Sequence, residues 1–165
     1  MKLNIGCGFK KLDGFINIDK SKSVNPDLLL DVEKDGLEGI KDNSVDYILC
    51  SHFLEHMTDI IFVMGEIYRV CKNNAIITII VPYFLSTSAI QDPTHKRFFT
   101  PESFKYFSKS DDGGNFDYEF KFDFQTISIE YVYLPFFRFF PLKKYLMRIL
   151  LNVVTEIRVR LKVKK

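Results

Sequence analysis

The chain has 165 residues, 47% of them apolar and 15% aromatic, with seventeen Phe and no Trp. This excludes a disordered or low-complexity chain, and the length allows one domain, residues 1–165, with a buried core. The net charge of +2 hides a division, since residues 1–70 carry 8 basic and 12 acidic side chains and residues 71–165 carry 15 and 9. Cys7, Cys50 and Cys71 have no paired spacing and read as reduced thiols. With no charged leader and no apolar run of bilayer length, a cytoplasmic protein is expected.

The first predicted strand, residues 3–5, runs into Gly6-Cys7-Gly8, and eleven residues after Gly8 a second apolar run, residues 15–18, closes on Asp19. A strand ending in Gly-x-Gly beside a strand ending in a carboxylate is how an open α/β sheet holds a nucleoside-like cofactor. The glycines let the backbone approach the ligand, and the carboxylate can accept from both ribose hydroxyls. Phe9, Lys10 and Lys11 follow Gly8, so the third glycine of a dinucleotide fingerprint is missing and no pyrophosphate site is expected. The connection is also too short for a full crossover helix.

Further strands are predicted at residues 28–30, 45–50 and 75–81, the last two as nearly continuous apolar runs of a parallel sheet. Between them Leu54, Met57, Ile61, Met64, Tyr68 and Cys71 recur at helical spacing, which predicts one amphipathic helix and a βαβ unit. Asn73-Asn74 supplies a left-handed turn expected to end that helix. Thr100-Pro101 reads as the cap and first residue of a short helix through Phe107, and residues 111–115 as a turn. Tyr118, Phe120, Phe122 and Phe124 alternate with Glu119, Lys121 and Asp123, and the phase then shifts to Ile127, Ile129, Tyr131 and Tyr133, which predicts a bulge near Gln125. Finally Thr155, Ile157, Val159, Leu161 and Val163 alternate with charged residues in a half-buried strand, so the C-terminal strands are expected to pair antiparallel.

From Arg138 onward nine basic residues face the single acidic Glu156. A solvated, charged strand edge is the preferred reading, and without any known binding motif nucleic acid is not expected as a partner. Phe136-Phe-Arg-Phe-Phe140, with Lys143, Lys144 and Arg148, mixes aromatics and cations as interfacial membrane segments do, but burial against the sheet is preferred to peripheral membrane contact. His52-Phe-Leu-Glu55-His56 spells an inverted zinc-peptidase pattern. His52 is placed at a strand-to-helix junction and no third ligand is marked downstream, so no metal is expected, and Glu55 and His56 read as fixing the helix start and the site wall.

Together, Leu3-Asn-Ile-Gly-Cys-Gly8, Asn17-Ile-Asp19, Asp31, Asp42-Asn-Ser-Val-Asp-Tyr47, Ser51-His-Phe-Leu-Glu-His56, Glu66-Ile-Tyr-Arg-Val70 and Val81-Pro82 resemble the class I S-adenosylmethionine-dependent methyltransferases, in the small type-11 group. The resemblance covers about the first hundred residues. Asp92-Pro-Thr-His95 with Arg97-Phe-Phe-Thr100 is similar to a segment after the fifth strand in one branch of the group. It implies an α/β fold with a Rossmann-like methyltransferase sheet, parallel strands and an antiparallel C-terminal pair. It also implies S-adenosyl-L-methionine as cofactor.

By this resemblance Gly6, Cys7 and Gly8 would line the methionine moiety, with Asn4 at a site position where many members carry Asp. Asp19 would bind the ribose, Asp31 with Val32 would sit beside the adenine, and Ser51 and His52 would close the site. Members also carry fuller helices around the first strand. Helix cover on one sheet face is therefore expected to be reduced, with residues 134–154 or a second subunit of a homodimer supplying it.

Methyl transfer from a sulfonium is an in-line displacement with a neutral leaving group, so positioning does most of the work. For a hydroxyl acceptor a base helps, and His95, Asp92 and His52 are the candidates. Tyr83 could shape the acceptor pocket. A small-molecule or sugar-type acceptor leads by analogy, and the competing reading is a non-catalytic cofactor-binding or partner subunit.

Overall fold

The computed structural model describes residues 1–109 and 120–165. Among these residues seven strands, β1 (Lys2–Ile5), β2 (Ile16–Asp19), β3 (Leu28–Leu29), β4 (Val45–Ser51), β5 (Cys71–Pro82), β6 (Phe124–Tyr133) and β7 (Val154–Val163), form one sheet in the order β3-β2-β1-β4-β5-β7-β6. The first five are parallel, and β7 runs antiparallel between β5 and β6. The order reverses at β1, so the carboxyl ends of β1 and β4 open a crevice where such sheets bind ligands.

Alternation along the strands separates the two sheet faces. Leu3, Ile5, Ile48, Cys50, Ile77, Ile79, Ile157, Val159 and Leu161 share one face, fully buried with the Val63, Met64 and Ile67 side chains of helix α2 (Ile60–Val70). The opposite face carries half-buried Tyr47, Leu49, Ile76, Thr78 and Ile80 beside the row Glu156, Arg158, Arg160 and Lys162. Its cover at β1 and β2 is a loop, residues 6–15, with no helix in it. Two buried amides hold that loop: Asn4 Nδ2 donates to the Lys10 carbonyl (3.0 Å) and to Asn17 Oδ1 (2.9 Å), which also accepts from the Leu12 amide (2.8 Å).

Four local expectations are corrected. The helix anticipated from Leu54 to Cys71 is broken: a 3-10 turn, Leu54–His56, is followed by extended Met57, and α2 begins only after Asp59, whose carboxylate accepts from the Phe62 amide at 2.9 Å. The break is held from outside, since Arg97 donates to the Met57 and Thr58 carbonyls and Glu33 accepts from the Thr58 and Asp59 amides. Asn74 does adopt the left-handed conformation, φ +66°, but within β5, where the register jumps from Val45↔Cys71 to Tyr47↔Ile76, while α2 has already ended at Val70.

β6 begins at Phe124, and its register slips between Thr126 and Ser128, which leaves Ile127 exposed where it was expected to continue the buried pattern. Residues 118–119 and the turn at 111–115 lie outside the described residues. Finally, residues 134–153 do not cover the open face. Their anchors are at the sheet's carboxyl edge, where the Tyr83 hydroxyl donates to the Met147 carbonyl (3.2 Å) and the Asn152 amide to the Leu85 carbonyl (2.8 Å). Phe136 and Phe139 remain 78% and 87% exposed, so their burial is overturned.

The 3-10 helix Pro101–Phe107 starts at Thr100, whose amide donates to Ser103 Oγ at 3.0 Å, and all three cysteines are free and buried. No helix among the described residues is long and apolar enough to cross a membrane.

One polar cluster fixes residues 36–43 to α2. Arg69 donates from Nε and Nη2 to the two Glu66 oxygens (2.8 and 2.7 Å) and from Nη2 to the Leu37 carbonyl, and Glu66 Oε2 accepts from the Leu37 amide. The Arg69 hydrogen bonds hold the Glu66 carboxyl below its usual range, against a partial cost of burial. A depressed folded pKa means stability present above the unfolded value and lost as pH falls through the folded one. Glu66→Gln is expected to cost about 2 kcal/mol at pH 7 in urea unfolding, with the gap to wild type closing below about pH 4.

Candidate functional site

A cavity of about 430 Å3 opens at the carboxyl ends of β1, β2 and β4. Its wall starts from the turn after β1. The Gly6 and Cys7 amides both donate to the Ile18 carbonyl (2.9 and 3.1 Å), locking the turn to β2, and Gly6 sits at φ +68°. A Cβ at Gly6 would lie 2.6 Å from Phe53 Cδ2, so the ring is seated where only glycine leaves room. The Asp19 carboxylate is fixed by two amides, Gly8 N to Oδ2 and Ser21 N to Oδ1, each at 2.9 Å. About two of its four lone-pair positions are left for a ligand.

Asp31 precedes the one-turn helix α1 (Val32–Asp35) and uses its carbonyl, not its carboxylate, to receive the Lys34 and Asp35 amides. Asp31, Val32 and Leu30 line the cavity on that side, and His52, Phe53, His56 and Met57 line it on the other. His52 sits at φ +52°, uncommon for a residue with a Cβ, with its amide bound to the Ile80 carbonyl at 2.9 Å. Its ring bridges two carboxylates, Nδ1 lying 3.3 Å from Glu55 Oε1 and Nε2 3.2 Å from Glu156 Oε1. Glu55 chiefly, with Glu156, raises its pKa against the opposing effect of burial.

Of the residues singled out from sequence, Gly6, Gly8, Asp19, Asp31, Val32 and His52 converge on this cavity. Asn4 and Cys7 are not in its wall: the Asn4 amide is spent on the loop beneath, and burial pushes the Cys7 thiol pKa up, so it is no ready nucleophile. Ser51 is half-buried at the end of β4, outside the lining. His95 and Asp92 stand one step behind. The His95 side chain is 8% exposed, its Nε2 is 3.8 Å from Asp92 Oδ2, and its ring meets that of His56 edge-on at 4.8 Å. Tyr83 is buried against Phe84 and Tyr131.

Sequence reasoning missed Phe53, Met57, Thr94 and Lys96 in the wall. Thr94 and Lys96 arrive because the Lys96 and Arg97 amides donate to the Glu55 carbonyl (2.8 and 3.1 Å), a tether across about forty residues that no local pattern announces.

The sheet order reverses at β1, and the glycine turn and the carboxylate at the end of β2 meet in one cavity there. Residues 3–79 match the family model described as a methyltransferase domain. The solved structures agree in fold. An S-adenosylmethionine-dependent methyltransferase from Archaeoglobus fulgidus is 19% identical, with a TM-score of 0.69 over 98% of this chain and 85% of its own. The 1,6-didemethyltoxoflavin N1-methyltransferase of Burkholderia thailandensis, with bound 1,6-didemethyltoxoflavin and S-adenosylhomocysteine, is 12% identical, with a TM-score of 0.59 over 99% of this chain and 71% of its own. The cyclase SpnF is 14% identical, with a TM-score of 0.59 over 99% and 75%. Among curated proteins, none matches this sequence. The family-model match spans just under half of the chain, which shares the fold of the S-adenosylmethionine-dependent methyltransferases.

Proposed function

We propose that the protein binds S-adenosyl-L-methionine in the cavity at the ends of β1, β2 and β4, and transfers its methyl group in line to a small-molecule or sugar-type acceptor. The observation that carries this is the convergence of the Gly6–Gly8 backbone and the doubly anchored Asp19 carboxylate on one cavity of about 430 Å3. A volume in this range suits a ligand of the cofactor's size. Asp19 takes the ribose hydroxyls, Asp31 and Val32 the adenine edge, and the Gly6–Gly8 turn the methionine end. His52 is the candidate base in the cavity wall, with Asp92 and His95 behind it. Three free, buried cysteines support a reducing compartment such as the cytoplasm.

A second reading, a cofactor-binding or partner subunit without turnover, is favoured by one finding: a cyclase shares the fold, so the fold alone does not fix the chemistry. Calorimetry with S-adenosylmethionine and S-adenosylhomocysteine tests the first step, and is expected to give micromolar binding. Acceptor-dependent formation of S-adenosylhomocysteine then separates the readings, and binding without turnover across a broad acceptor panel selects the second.

A further inference from the structure

Glu55 is 1% exposed, and neither of its carboxylate oxygens has a hydrogen-bond partner. The nearest cationic group is the His52 ring, which at 3.3 Å also leans toward Glu156. A buried carboxylate needs a counter-charge, and the His52 ring, shared with Glu156, meets that need only in part. A Glu55 oxygen and ring nitrogens of His56 and His95 all lie within 4.8 Å of one another.

Hydrogen bonds fix which ring nitrogen of His56 and of His95 carries a hydrogen. The Thr94 hydroxyl gives its proton to Asp92 Oδ1 at 2.7 Å, so toward His56 Nδ1, 3.0 Å away, it can only accept. His95 Nδ1 lies 2.8 Å from the Ala89 carbonyl, which likewise only accepts. Each ring therefore carries a hydrogen on Nδ1, which leaves Nε2 as the nitrogen a metal ion can take. Oxygen acceptors behind a ring are how proteins orient metal-binding imidazoles.

We propose that Glu55, His56 and His95 bind one divalent transition-metal ion, of the zinc, cobalt or manganese kind, in the wall of the cofactor cavity. Two imidazoles and a carboxylate suit these ions better than magnesium or calcium and leave coordination positions open. His52 is not a ligand, which distinguishes this site from the His52–His56 pair that the sequence pattern suggests. Because His56 lines the cavity, an oxygen or nitrogen of the methyl acceptor can complete the coordination. That role rests on the methyltransferase reading, whereas the site itself does not.

The test is titration of chelator-treated protein with cobalt(II), read by visible absorption, with zinc as competitor. One equivalent is expected to give d–d bands that zinc displaces. The bands are lost in His95→Ala and in the isosteric Glu55→Gln, each shown folded by circular dichroism, and kept in His52→Ala. Featureless spectra from folded wild type, or bands unchanged in His95→Ala, overturn the site. Bands lost in His52→Ala but kept in His95→Ala do so as well. Calorimetry with S-adenosylmethionine on the same samples separates the two claims: cofactor binding without cobalt binding defeats only the metal site, and the reverse defeats only the methyltransferase reading.

A second surface stands on different observations. Phe136, Phe139, Tyr145 and Ile149 are 71–87% exposed, with Leu142 and Leu150 beside them, on the segment anchored at the carboxyl edge of the sheet. Arg138, Lys143, Lys144 and Arg148 are interleaved, and no acidic residue occurs between Glu130 and Glu156. Pairing two copies through this face would oppose four cations with four. We infer that it seats on an anionic lipid surface, where aromatics enter the headgroup layer and cations meet lipid phosphates.

Full-length protein is expected to co-float with vesicles containing a third phosphatidylglycerol. Binding should weaken in high salt and fall at least tenfold in a Phe136→Ser, Phe139→Ser double variant. Equal partition onto pure phosphatidylcholine, or none onto either, overturns the inference. So does a dimer in sedimentation velocity that the same substitutions dissolve.

Discussion

Asp19→Ala is expected to weaken S-adenosylmethionine binding by about 100-fold, on the order of 3 kcal/mol for two charge-assisted hydrogen bonds to the ribose. The loss has two sources. In the proposed complex the carboxylate's free lone pairs accept from the ribose, while its occupied ones hold the Gly8 and Ser21 amides, so truncation also releases the Gly6–Gly8 turn. Calorimetry reads the affinity, and a urea midpoint measured alongside shows whether the fold has gone with it. Near wild-type affinity in a folded Asp19→Ala protein would remove Asp19 from the ribose.

Gly6→Ala is expected to be the most damaging single-methyl change in the cavity. At φ +68° any Cβ is strained, and here it would also lie 2.6 Å from Phe53 Cδ2 and 2.9 Å from Phe53 Cβ. The second contact is with the root of the side chain, so no rotamer of Phe53 relieves it. Phe53 follows His52 at the cavity lip, so the displacement passes directly into the site. A loss of about 2–4 kcal/mol is expected from strain plus overpacking, together with loss of cofactor binding. Gly8→Ala is the control, because Gly8 has φ +50° but a methyl group there would meet nothing within 4 Å. It should cost about 1 kcal/mol. Equal unfolding midpoints for the two variants would show that Phe53 yields freely.

The parts of the fold legible in the sequence are those set by neighbours along the chain. Alternation and apolar runs marked the strands, the Gly6–Gly8 turn and Asp19 marked the crevice, and the short span from Ile5 to Ile16 announced the missing helix. The parts that were not legible are set by distant partners. Met57 is extended because Arg97 and Glu33 bind the chain around it, although its spacing is helical. Phe53, Thr94 and Lys96 reach the cavity by tertiary tethers. The exposure of Phe136 and Phe139 runs against composition, which treats a run of aromatics as core. Glu55 carried no sign in sequence that its carboxylate would be buried without a hydrogen bond.

The Asn4–Asn17 amide pair, standing where a crossover helix would have pressed apolar surface onto β1 and β2, has a consequence for the protein's lifetime. Polar contacts adhere weakly once water can compete for them, so the first three strands are joined with less cohesion than the rest of the sheet. A cofactor bound as proposed ties Gly8, Asp19 and Asp31 across those same strands and supplies adhesion that the chain itself omits. Ligand that binds only the folded state stabilises it in proportion to the logarithm of its concentration. The abundance of this protein in a cell would then follow the supply of methyl donor, with starved copies opening at the amino-terminal strands and falling to proteases first.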